Sequence, residues 1–224
     1  MSALLQSHHQ RMLIESGIDY HVAEARGYFS ADEIAVAQLG FDAYQCRPGL
    51  VIPNFGVDGQ FKAYELRPDN PRTNKKGDVI KYDRIAGLGN YLDVHPWFGD
   101  KVRSPNQTIV ITEGSKKVDA LASQGIPAIG LKGVWGWRGT NQFGAKGLIA
   151  DFEEVAIRDN NFIILFDSDI KTNDSIQLSA LRLQAMLISK RAKLVTIKEL
   201  PYPGNEKRGV DDWIFTKLKD KHNE

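Results

Sequence analysis

The stretch that most constrains this chain is Asn161 to Asp169, NFIILFDSD. Phe162 to Phe166 is an apolar run of strand length, and it ends in two aspartates, Asp167 and Asp169. On extended backbone, residues two apart point to the same side, so both carboxylates can face one point. A second apolar strand, Thr108 to Thr112, ends in Glu113-Gly114. A buried strand rarely delivers a carboxylate without a partner for it. In open α/β sheets, ligands bind at the carboxyl ends of the strands. Three acids gathered there repel one another unless a cation lies between them, and hard oxygen ligands suit Mg²⁺ or Mn²⁺. The pattern predicts a divalent-metal site for phosphate chemistry, with Glu113, Asp167 and Asp169 as its acids.

The second half surrounds these strands with helices. A helix is expected from about Ser115 to Gln124 and a strand over Ile126 to Leu131. A short helix follows around Ala145 to Phe152, then an amphipathic helix over Thr172 to Lys190, a strand over Lys193 to Leu200 and a last helix opened by Gly209-Val210-Asp211-Asp212. Alternation of this kind predicts an α/β fold with a mostly parallel sheet flanked by helices. Gly114 allows a tight turn, so the next helix begins beside Glu113 and offers free N–H groups to a phosphate. Lys116 and Lys117 add positive charge there, or one of them lies on an exposed first turn. Asp211 and Asp212 are expected to complement a helix N-terminus, with a role as further metal ligands the alternative. The loop GVWGWRGTNQFG places Trp135 and Trp137 either to stack bases or to cover the sheet edge, with Lys132 and Arg138 as phosphate contacts.

The first half differs in period. Residues 1–48 read as an N-terminal helical segment of three short helices, the third capped by Ser30 with Glu33 three residues on. Residues 49–105 read as a β-rich subdomain, and 106–224 as the α/β domain. GLVIPNF and QFKAYELRP flank Asp58-Gly59, a strong hairpin signal. A polar loop, DNPRTNKKGD, is expected next, and a linker over Asp100 to Gln107. Between Lys62 and Arg84 there are seven basic and four acidic residues with aromatics interleaved, as on single-strand-binding surfaces. Arg67, Lys75, Lys76 and Lys81 are the candidate nucleic-acid contacts. A solvated charged hairpin is the alternative.

Net charge is +1, so nucleic-acid contact must come from a local patch. The lone Cys46 excludes an internal disulfide and a cysteine-rich zinc module, and five scattered histidines do not suggest a histidine zinc site. No stretch approaches a membrane span and no apolar leader opens the chain, so a cytoplasmic protein without membrane contact is expected.

IVITEG followed by IILFDSD resembles the Toprim domain shared by topoisomerases and bacterial-type primases, over about residues 106 to 215. The upstream segment VIPNFGVDGQFKAYELRPDN followed by Lys81-Tyr82 is similar to the one that precedes Toprim in primases. EGSKKVDAL, LKGVWGW and GVDDWI look like the Toprim-like domain of plasmid replication proteins, including large cyanobacterial and phage ones in which a helicase follows. The resemblance implies Glu113 as general acid/base or metal ligand and Asp167 and Asp169 as Mg²⁺ ligands. It also implies DNA replication, nucleoside triphosphates, single-stranded DNA or primer-template, and a replicative helicase as partners. The chain departs from bacterial primases in carrying Lys116-Lys117 before Asp119, where they place an acid soon after Glu-Gly. It has no zinc module and no G-x-x-x-x-G-K-[ST] run. Primase-like Mg²⁺-dependent nucleotidyl transfer is the first reading. A Toprim-type nuclease and a non-catalytic nucleic-acid- or helicase-binding module are the alternatives.

Overall fold

The computed structural model of the chain describes residues 5–75, 77–140, 144–202 and 207–222. Helix α1 covers Ser7–Ile14 and α2 covers Tyr20–Arg26. The side chain of Asp19 caps α2 by accepting the His21 N–H, and Gly27 closes it at φ 80°, where a side chain would be strained. Strand β1 (Phe29–Ala31) precedes α3 (Glu33–Gln38). The expected Ser30 cap is corrected here. Ser30 is a strand residue paired with Leu50, and Asp32 caps α3 by accepting the Ala35 N–H at 2.8 Å. Asp32 immediately precedes the helix, so its short side chain reaches the first turn directly.

The expected hairpin follows as β2 (Gly49–Phe55) and β3 (Phe61–Pro68), antiparallel, with Gly59 in the turn at φ 77°. The polar loop after Pro68 is instead a second small hairpin, β4 (Arg72–Thr73) with β5 (Val79–Ile80). Its turn is held by reciprocal bonds of 2.9 Å, Asn74 Nδ2 to Asp78 Oδ2 and Asp78 N–H to Asn74 Oδ1. Asx side chains bonded this way substitute for a longer ladder. Strand β6 (Asp83–Arg84) completes a four-stranded sheet in the order β1-β2-β3-β6.

Strand β7 (Asp93–Val94) leads into a turn of 3₁₀ helix and α4 (Gly99–Val102). The linker expected from Asp100 is therefore corrected in its first part: Val102 is fully buried in the main core. Then come β8 (Thr108–Glu113), α5 (Ser115–Ala122), β9 (Ala128–Leu131), β10 (Arg138–Thr140), β11 (Lys146–Leu148), β12 (Asn161–Ile164), α6 (Asp174–Ser189), β13 (Leu194–Ile197) and α7 (Val210–His222). The short helix expected over 145–152 is a strand, β11, paired with β10, followed by a 3₁₀ turn over Ala150–Glu154. Gly144 and Gly147 explain this, because glycine disfavours helix by about 1 kcal/mol per residue.

The main sheet runs β13-β12-β8-β9-β7. Its first four strands are parallel, as the βα alternation predicts, and β7 is an antiparallel edge from the segment before residue 106. One core runs through all three segments, from Leu13 and Val22 by way of Leu50 and Ile52 to Ile109, Ile111, Phe162 and Ile164. At its centre Arg26, fully buried, binds Asp119 of α5 (2.5 Å) and Asp93 of β7 (2.7 Å). No helix among the described residues is long and apolar enough to cross a membrane.

Candidate active site

Strands β8 and β12 are adjacent and parallel, with Ile111 opposite Ile164, so the acids that follow them emerge at the same end of the sheet. Glu113 is half-buried, Asp167 is buried, and the Asp169 side chain is 24% exposed. Gly114 turns the chain at φ 88°, a conformation that L side chains resist, and α5 begins at once. Its first turn presents Lys116 and Lys117.

The acids are matched by ammonium groups. Lys117 Nζ lies 2.7 Å from Asp167 Oδ1, and Lys207 Nζ lies 2.9 Å from Asp169 Oδ2 and 3.6 Å from Asp167 Oδ2. Lys207 arrives on a segment bonded to the strand end, with Ser168 donating its N–H to the Arg208 carbonyl at 2.9 Å and Arg208 donating its N–H to Ser168 Oγ at 2.9 Å. Gly209 lets this segment lie close. A Cβ there would stand 2.4 Å from Lys117 Cε, 2.3 Å from Asp211 Oδ1 and 3.2 Å from Asp167 Oδ1.

Glu113, Lys116, Lys117, Asp211, Lys132 and Tyr82 line a cavity of about 300 Å³. Burial raises the Glu113 pKa, and Asp167 and Asp169 add to this against Lys117 and Lys207. Burial opposes the Lys117 charge, but Asp167, Asp211 and Glu113 together hold its pKa above that of an ordinary lysine. Of Asp211 and Asp212, Asp212 serves the helix end, accepting the Gly209 N–H at 2.8 Å. Asp211 faces the cavity, and burial raises its pKa.

Glu113, Asp167 and Asp169 converge less tightly than one metal point requires. Among the described residues, their carboxylates do not form a set with all ligand atoms within 4.8 Å of one another. Lys117 and Lys207 stand between Asp167 and Asp169 and their surroundings. The donor chemistry nevertheless fits a hard divalent ion: Asp169 Oδ1 and Asp211 Oδ1 are buried and have no hydrogen-bond partner among the described residues.

The basic candidates lie in four places, Lys76 apart. Lys116 lies in the cavity wall. Lys132 lies there too, but its buried ammonium bonds Ser115 Oγ at 2.9 Å and Asn54 Oδ1 and lies 3.7 Å from Glu65. Arg67 donates to the Tyr82 hydroxyl at 2.9 Å and shares a second cavity of about 400 Å³ with the exposed Lys81. Lys75 is exposed in the β4–β5 turn, and Lys76 lies outside the described residues. Arg138 stacks on Trp135, 4.5 Å from the ring centre. Trp137 is buried and donates to Ser179 Oγ of α6 at 2.9 Å, so it is the tryptophan that covers the sheet. Sequence reasoning did not find Glu65, Asn54 or Lys207. Lys207 sits 40 residues from Asp167 in a stretch without periodicity, whereas Asp211 carried a signal in its doubled aspartate.

Burial pushes the Lys116 pKa down to about 8, against the pull of Asp211 and Asp212 and with Arg67 and Lys117 adding to the fall. An anion held in this cavity therefore loses one positive neighbour as pH rises through about 8. Single-stranded DNA or pyrophosphate binding is expected to weaken there by about 1 kcal/mol, roughly fivefold. Lys116→Arg, which stays charged, should remove that step from a fluorescence titration repeated between pH 7 and pH 9. The same shift acts on stability. The folded pKa lies below the 10.5 of a free lysine, so the unfolded chain holds the extra proton and stability rises between about pH 8 and that value.

A sequence-family profile described as "Domain of unknown function (DUF3854)" matches residues 98–221. No curated protein sequence matches the chain. Among solved structures, the fold is similar to the zinc-binding and RNA polymerase domains of the Aquifex aeolicus primase, with 15% identity, a TM-score of 0.58 and coverage of 97% of this chain and 56% of that one. It is similar to a DnaG catalytic core at 15% identity and a TM-score of 0.62, covering 97% and 72% of the two chains. It is also similar to the RNA polymerase domain of the Mycobacterium tuberculosis primase DnaG, at 14% identity and a TM-score of 0.60, covering 95% and 74%. The chain thus spans little more than half the length of the Aquifex protein, and the likeness is one of fold.

Proposed function

We propose that this chain, which belongs to the DUF3854 family, is a primase-like nucleotidyl-transfer domain of a plasmid or phage replication protein. The observation that carries the reading is the meeting of Glu113, Asp167 and Asp169 at one end of a parallel sheet, in a primase-core fold, beside a cavity lined by lysines. Glu113, Asp167, Asp169 and Asp211 would hold Mg²⁺ or Mn²⁺. When bound, that ion supplies charge neutralisation on the transferring phosphoryl group. The raised pKa of Glu113 suits it to exchange a proton with a primer hydroxyl. Lys116 faces the cavity as a phosphate partner. Arg67, Lys75, Lys81 and Arg138 would bind the single strand or primer-template, and a helicase would be the protein partner.

The second reading, a non-catalytic binding module, is favoured by one feature: Lys117 and Lys207 already neutralise Asp167 and Asp169. Incubation with single-stranded DNA, labelled nucleoside triphosphates and Mg²⁺ or Mn²⁺ separates the possibilities on one gel. Extended labelled products support nucleotidyl transfer. Shortened strands would replace it with the nuclease reading, and unchanged strands with the binding module.

A further inference from the structure

The five histidines look scattered along the sequence, yet folding brings two of them to one carboxylate. His8 and His9 of α1 both direct Nε2 at Asp69 Oδ1, just after β3, at 3.2 Å and 2.8 Å. Their rings stand 4.0 Å apart. This is the one group of three such residues, among the described residues, whose ligand atoms all lie within 4.8 Å of one another.

We propose that His8, His9 and Asp69 form a transition-metal site of the zinc class, which latches the N-terminal helix to the central hairpin. Two imidazoles and a carboxylate are a borderline donor set, suited to Zn²⁺ and its neighbours rather than to Mg²⁺. Metal–ligand bonds of about 2.0–2.2 Å at tetrahedral angles separate the ligand atoms by roughly 3.3–3.6 Å. The spacings of 3.2 Å and 2.8 Å fall short of that, so an ion enters as the partly exposed His8 and Asp69 side chains move apart by about half an ångström.

The surroundings support coordination. His9 is 1% exposed, and its Nδ1 lies 2.7 Å from Ser30 Oγ. Ser30 Oγ also accepts the Gln6 N–H at 2.8 Å. With Nε2 on a metal, Nδ1 carries the ring proton and donates it to Ser30 Oγ, whose second lone pair is available. That second contact fixes the ring, as outer partners of metal-bound histidines do. The His8 and Asp69 side chains are 50% and 30% exposed and line the 400 Å³ cavity, so water can reach a fourth position. The site uses none of Glu113, Asp167 and Asp169, and it shares its cavity with Arg67 and Lys81.

Calorimetric titration of the full chain with ZnCl₂ tests the proposal. One ion per chain is expected, undisturbed by excess MgCl₂, and substitution with CoCl₂ should give the visible absorption of tetrahedral cobalt. His9 is buried, so its removal can disturb the fold. The half-exposed His8 and Asp69 therefore carry the test, with folding checked by circular dichroism. His8→Ala and Asp69→Asn should each weaken Zn²⁺ at least tenfold, and Ser30→Ala about tenfold through ring positioning. Absence of zinc binding by wild type, or binding unchanged in both His8→Ala and Asp69→Asn, overturns the site.

Discussion

Arg26→Met will destabilise the protein by about 3–5 kcal/mol, against a total that for domains of this kind is about 5–15 kcal/mol. The loss does not arise from the ion pair being strong. Taking three charges out of water is costly, and their attraction only offsets that cost. The loss arises from what methionine leaves behind. Asp93 and Asp119 are both fully buried. Among the described residues, Asp119 would keep the Tyr28 hydroxyl at 2.6 Å as its close side-chain donor, and Asp93 the Phe55 N–H at 3.1 Å. Burial beside Asp119 keeps the Tyr28 phenol protonated, so it remains a donor but brings no charge. Two uncompensated carboxylates in the core are the outcome. Urea unfolding measures the effect, and a change below about 1 kcal/mol would show that the cluster is solvated or dispensable. The consequence reaches the site, because Asp119 anchors α5 one turn after Lys116 and Lys117. Asp119→Asn should therefore also loosen the cavity.

The same cluster shows what could be read from the sequence and what could not. Strands β8 and β12 were legible because long apolar runs ending in acids have few other uses. The β2–β3 hairpin was legible because its turn chemistry is local, at Asp58-Gly59. Strands of two or three residues have no period to display: β1, β6 and β7 form against longer neighbours, and β4 with β5 around the turn that Asn74 and Asp78 close. Ser30 and Asp32 both suit a helix cap, and a tertiary fact decides between them: Ser30 is engaged by Gln6 and His9. Asp119, close after Glu113-Gly114 in the sequence, points into the core toward Arg26, 93 residues earlier. Lys117 beside Asp167 and His9 beside Asp69 are likewise contacts across 50 and 60 residues. Spacing and periodicity carry no information at that range. The candidate acids are visible in the sequence, whereas Lys117 reads there as a phosphate contact or an exposed first-turn residue and Lys207 carries no signal.

That balance of charge makes Glu113→Gln the most informative substitution. Glutamine keeps the size and much of the hydrogen bonding of glutamate but neither carries charge nor accepts a proton. A positioned general acid/base contributes about 10²–10⁴-fold, so turnover should fall by at least that factor while the fold is kept. Asp167→Asn should lose activity similarly and recover part of it in Mn²⁺, which tolerates nitrogen-containing sites better than Mg²⁺. Single-stranded DNA affinity should change little in Glu113→Gln, because in the catalytic reading the acids face a cation rather than bare phosphates. The binding-module reading expects the reverse, since an acid facing a phosphate backbone is repulsive and its removal tightens binding. The direct measurement is therefore incorporation of labelled nucleotide on single-stranded DNA by wild type and Glu113→Gln, run beside DNA affinity for the same two proteins. The account predicts incorporation by wild type, a loss of about 10²-fold or more in Glu113→Gln and nearly equal affinities. Wild type inactive with every divalent ion tried, together with tighter DNA binding by Glu113→Gln, would contradict it.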